Sequence, residues 1–81
     1  MESKPPPNIT AETAALTLQN IHRAKLSVAE VSRRTLIPGV SLHRKVNGIS
    51  AMTVNDLAAI ALATGIPFSE FLPKHLTGNA A

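Results

Sequence analysis

LSVAEVSRRTLIPGVSLHRKVNG, residues 26–48, carries two helices and the bend between them. Ser27-Val28-Ala29-Glu30 is a capping box: the serine oxygen accepts from the N–H three residues on, and the glutamate reaches back. The helix it opens runs to about Thr35, because Pro38-Gly39 cannot continue it. A second helix fits from Gly39 or Val40 to Asn47, and Gly48 stands where a left-handed cap is favoured. Upstream, Thr10 can cap a helix over about 11–25, with Ala11, Ala14, Leu18 and Ile21 at helical spacing. Glu12 in its first turn and Arg23 and Lys25 in its last suit the helix dipole. Downstream, Thr53 and Asp56 cap a fourth helix. Its Val54, Leu57, Ala58, Ala61 and Leu62 match the amphipathic template, and Ala59, Ile60 and Ala63 extend the apolar surface nearly all round. This predicts a central buried helix that stops at Gly65. Pro67 opens a last short helix burying Phe68, Phe71 and Leu72 before Pro73. No segment alternates like a strand. The expected fold is all-α, with five short helices.

Pro5, Pro6 and Pro7 exclude helix at the start. The expected organisation is a flexible arm over 1–9, one domain over 10–73 and a flexible tail over 74–81. The chain's 81 residues are 44% apolar, enough for a packed core. A chain this size buries only about 60% of its extended surface, so the stability margin is thin. Phe68 and Phe71 are the only aromatics, which argues against a base-stacking platform or an aromatic-lined groove. The absence of cysteine excludes disulfides and thiolate metal sites and suits a reducing cytoplasm. No apolar run approaches the roughly 18 residues of a membrane span. MESKPPPNIT lacks the apolar segment of a secretory signal.

Charge narrows the partner. Eight Lys+Arg against five Asp+Glu give +3. Between His22 and Asn47, however, Arg23, Lys25, Arg33, Arg34, Arg44 and Lys45 face only Glu30, so that segment is +5 and the remainder −2. A localised basic stretch is the footprint of a polyanion partner, although a merely solvated basic face has the same composition. Two short helices joined by a tight turn, with cations on the second, form a helix-turn-helix pattern whose second helix enters the DNA major groove. Residues 26–48 have the spacing of the lambda-repressor-like (Cro/C1-type) helix-turn-helix family. From Asn47-Gly48-Ile49-Ser50-Ala51-Met52-Thr53 through Leu57-Ala58 to Gly65-Ile66-Pro67-Phe68-Ser69-Glu70-Phe71 the chain also resembles the phage repressor domain that gives the family its name. The resemblance covers about residues 13–72.

A helical wheel drawn from Val40 at about 100° per residue defines the candidate face without reference to the family. Leu42 and Val46 point to the core. Val40, His43, Arg44 and Asn47 point the other way, with Ser41 and Lys45 at the flanks. The resemblance implies that Val40 and Arg44 read base edges and that Asn47 binds a phosphate. Arg44 can donate two hydrogen bonds to guanine O6 and N7. Val40 offers a methyl surface to a thymine, or is partial core. Ser41 serves a base, a phosphate or its own backbone. His43 reads a base or sits exposed, and Asn47 is equally a helix-terminal residue. The Lys45 stem packs while its ammonium reaches a phosphate. Arg33 and Arg34 track the backbone or are simply solvated. In the family an N-terminal arm wraps the duplex, and Lys4 occupies that place.

Four positions depart from the family pattern. Val28 stands where the founding member has a glutamine that braces its base-reading partner, and Gly39 replaces another glutamine. The base preferences of that protein therefore do not carry over. Ser32 replaces a small residue, usually alanine, and still permits close packing. Leu36 replaces the turn glycine. A leucine in the left-handed region is strained by about 1 kcal/mol or more, so the turn is expected to differ locally, with Pro38-Gly39 compensating.

These readings give a regulator that occupies a double-stranded DNA operator as a homodimer, through a surface on the last helix and tail (Phe68 to Leu76) or through cooperation on the DNA. The alternative is a protein-interaction module on the same fold: an antitoxin subunit, antirepressor or host-takeover factor. His22, His43 and His75 are too far apart for a local metal motif, and no acid pair or phosphate-cradling loop appears. No catalysis, cofactor, small-molecule substrate or membrane is expected.

Overall fold

The computed structural model describes residues 8–74 of the chain. Residues 1–7 with Lys4, and 75–81 with His75 and Leu76, lie outside the described residues, and with them most of the expected arm and tail. What is described is helical, without a strand: α1 (Ile9–Arg23), α2 (Val28–Thr35), α3 (Gly39–Val46), α4 (Val54–Thr64) and a 3-10 turn at Phe68–Phe71. The expected fifth helix is thus a single tight turn. Pro67 opens it, and the backbone is already extended at Leu72, before Pro73. That span is too short for an α-helical turn to repeat.

Each boundary follows from a local cap. Asn8, not Thr10, starts α1: its side-chain oxygen accepts from the Ala11 N–H at 3.0 Å. Asparagine ranks above threonine as an N-cap, and the helix begins two residues earlier than the periodicity suggested. At the other end Lys25 takes φ +62 and the Leu26 N–H donates to the Ile21 carbonyl, which closes α1 before Lys25. The capping boxes of α2 (Ser27 with Glu30) and α4 (Thr53 with Asp56) are both present. Gly48 ends α3 at φ +77 and Gly65 ends α4 at φ +74, backbone conformations that glycine adopts without the strain most side chains would bring.

Eight side chains from all these elements make one core: Ile21, Val31, Leu42, Val46, Leu57, Ile60, Ile66 and Phe71. α2 packs on both α3 and α4, and the 3-10 turn packs on α1 and α4. Asn20 anchors that turn by donating to the Glu70 carbonyl at 2.9 Å. The one-sided burial of α4 corrects the reading of it as a buried central helix. Leu57 and Ile60 are buried, whereas Val54 is 70% and Leu62 86% exposed. An apolar surface all round a helix is buried only where neighbours cover it, and among the described residues none covers this face. Phe68, expected in the core, is 36% exposed beside it.

The α2–α3 bend also differs from expectation. Leu36 does adopt the left-handed conformation, at φ 65 and ψ 16, with its side chain 87% exposed. Neighbouring hydrogen bonds hold it there. The Leu36 N–H donates to the Ser32 carbonyl at 2.9 Å, and the Ser32 hydroxyl donates to the Ile37 carbonyl at 2.5 Å. Ser32 therefore does more than leave room, since it binds the turn to the helix before it. Leu36→Asn should raise stability by about 0.5–1 kcal/mol, because asparagine tolerates this conformation and the exposed leucine packs on little. For a domain this small that is roughly 2–8 °C in Tm, readable by thermal melting. An unchanged or lower Tm would show that Leu36 is not strained.

Candidate nucleic-acid interface

α3 divides cleanly by burial. Leu42 (0% exposed) and Val46 (5%) enter the core, while Val40 is 74% exposed and His43, Arg44 and Asn47 are exposed with it. Ser41 and Lys45 lie half-buried on the flanks. The helix has no side-chain N-cap, Pro38 preceding it. Its C-terminal end is closed by backbone: the Ile49 N–H donates to the Arg44 carbonyl at 2.9 Å and the Gly48 N–H to the Lys45 carbonyl at 3.1 Å. Asn47 is the C-cap residue, with its side chain exposed.

Three of the six cations of the basic stretch are engaged within the molecule. The Arg23 guanidinium meets Glu70 Oε1 at 3.4 Å and Asn20 Oδ1 at 3.3 Å. Arg34 donates to the Ala63 carbonyl at 3.3 Å, which places a cation on the C-terminal end of α4 where the helix dipole favours it. Lys45 Nζ lies 2.5 Å from Asp56 Oδ2, with the two side chains only 19% and 13% exposed. The phosphate role read for Arg34 and Lys45 thus competes with partners already in place. Among the described residues, Lys25, Arg33 and Arg44 form neither a hydrogen bond through the side chain nor a salt bridge. Arg33 adds to the field that favours the ionised Glu30.

Two carboxylates titrate below their ordinary range. For Glu30 the main cause is the Ser27 backbone N–H, followed by the Ser27 hydroxyl, with Arg33 and Arg34 adding less. For Asp56 burial pushes the pKa up, but hydrogen bonds from Lys45 and from Thr53 outweigh it and hold the carboxyl down.

The sequence did not reveal Asp56 as a partner of α3, because a contact eleven residues apart has no local spacing signal. Nor did it reveal the apolar surface around the bend and beyond α3, where Leu36 is 87% and Ile49 69% exposed. On α4, Ala58, Ala61, Leu62 and Gly65, with Ile66, Pro67 and Phe68, line an open apolar trough of about 570 Å³.

No protein-family model, curated protein or solved structure matches the chain. Its functional reading therefore rests on its own residues. Among the described residues no helix is long and apolar enough to cross a membrane.

Proposed function

We propose that the chain is a sequence-specific binder of double-stranded DNA, a lambda-repressor-like helix-turn-helix regulator acting by occupancy of an operator. One observation carries this reading. The outer face of α3 presents Val40, His43, Arg44 and Asn47 to solvent while Leu42 and Val46 fix the helix from behind. Arg44 has no competing partner among the described residues, so its guanidinium is available to a guanine edge. Val40 offers methyl contact to a thymine, and His43 and Ser41 lie within reach of neighbouring bases. Arg33 on α2 and Asn47 at the end of α3 meet phosphates on either side, with Lys4 on the arm.

One recognition helix reads too few base pairs for a useful site, so two copies act together. The α4 trough, lined in part by Leu62 and Phe68, supplies an uncharged surface for the second copy. Leu62→Lys should then leave one copy on a two-site duplex at protein concentrations where the wild type places two, read as the stoichiometry of sedimentation. Unaltered two-copy assembly would place the contact elsewhere.

The apolar exposure of Leu36, Val40 and Ile49 around α3 favours a second reading, in which the same face takes a protein. A salt titration against random duplex separates the two. A DNA binder loses affinity linearly in log salt, with a slope near 0.9 per phosphate neutralised. Absence of duplex binding at low salt would rule out the DNA reading.

A further inference from the structure

We propose that Asp56 is a specificity-determining residue that withholds Lys45 from the DNA backbone, an inference that rests on the DNA reading above. Lys45 lies beside Arg44 on α3, at the flank of the exposed face, where a long cationic side chain could reach a phosphate. Instead its ammonium lies 2.5 Å from Asp56 Oδ2, on the first turn of α4, and both side chains are more than four-fifths shielded. Asp56 is itself fixed: Oδ2 also accepts from the Thr53 N–H at 2.9 Å, and the Asp56 N–H donates to the Thr53 hydroxyl at 3.0 Å. The capping box thus presents a carboxylate of fixed position to α3.

Fold stability gives this pair little reason to exist. Shielded ion pairs gain little over apolar residues of similar size, because desolvation offsets the attraction. An aliphatic side chain at position 45 would brace α3 on α4 as well. The charged pair does something an aliphatic contact cannot: it neutralises a cation next to the reading face. A free lysine there would add a phosphate contact blind to sequence, raising affinity for every duplex alike. With the lysine held, binding depends more on Arg44 and Val40.

The test is a cycle of salt titrations on random and selected duplex with the full chain. Asp56→Asn should release Lys45, steepen the salt slope by about one and lower the ratio of selected to random affinity. Lys45→Met, alone or combined with Asp56→Asn, should keep the wild-type slope. Thr53→Ala removes the capping hydroxyl but leaves the ion pair, so it should lower Tm without moving the slope. A Lys45→Met slope shallower than wild type by about one would show that Lys45 already meets DNA and would overturn the proposal. So would an unchanged slope in Asp56→Asn, or the same change in Thr53→Ala. Wild type that binds no duplex would instead defeat the DNA reading itself.

Discussion

Phe71→Ala is expected to leave the chain largely unfolded at 25 °C. Phe71 is fully buried, and it comes from a 3-10 turn of four residues with few internal bonds of its own. It joins Ile21 of α1, Leu57 and Ile60 of α4 and Ile66 in one core. Truncating a buried phenylalanine costs about 3–5 kcal/mol, part transfer and part cavity. Domains have about 0.05–0.15 kcal/mol of stability per residue, so that loss is comparable to the whole margin here. Far-UV circular dichroism and the urea midpoint are the readouts. A variant that folds with less than about 1 kcal/mol lost would show that the turn is a peripheral flap.

The anchoring of that turn marks where sequence reading reached and where it stopped. Ser27 with Glu30 and Thr53 with Asp56 were legible because capping is a contract between residues three apart, and both boxes are present. The wheel of α3 was legible for a similar reason: Leu42 and Val46 are the apolar pair at helical spacing, and both are buried. Exposure on α4 was not legible. Leu62 and Ile60 are alike in composition, and only the placement of other elements decides that one is 86% exposed and the other buried. The engagement of Arg23, Arg34 and Lys45 was hidden too, since their partners Glu70, the Ala63 carbonyl and Asp56 are remote in sequence. Counting charge along the chain therefore overstated how many cations the candidate face offers. The strain of a left-handed leucine argued for a different turn at Leu36, yet the chain takes that conformation within a turn bonded by Ser32.

Acid should weaken the α3–α4 link. Because the Asp56 pKa is lower folded than unfolded, its contribution is present above the ordinary aspartate value and is lost as pH falls through the lowered one. This places the loss below about pH 4. Neutral conditions therefore leave the pair intact for any test of binding.

Arg44→Ala and Arg33→Ala should both weaken DNA binding, in different ways. Arg44 projects from the outer face of α3 without a competing partner among the described residues, so it is free to donate both of its parallel hydrogen bonds to one guanine. Losing it should cost about 1–3 kcal/mol on the preferred site, a factor of roughly 5 to 150, with little loss on random duplex. Arg33 is exposed on α2, the helix that the proposed docking would lay across the DNA backbone. Losing a phosphate contact should weaken all sequences alike and reduce the salt slope by about one.

Selection of binding sites from a randomised duplex pool, run in parallel for the wild type, Arg44→Ala and Arg33→Ala, tests the outer face of α3 most directly. The wild type should enrich a motif containing a fixed guanine. Arg44→Ala should lose preference at that one base pair and keep the rest, while Arg33→Ala should return the wild-type motif at lower affinity. A wild-type pool without a motif, or an Arg44→Ala motif identical to the wild type, would contradict base reading by α3.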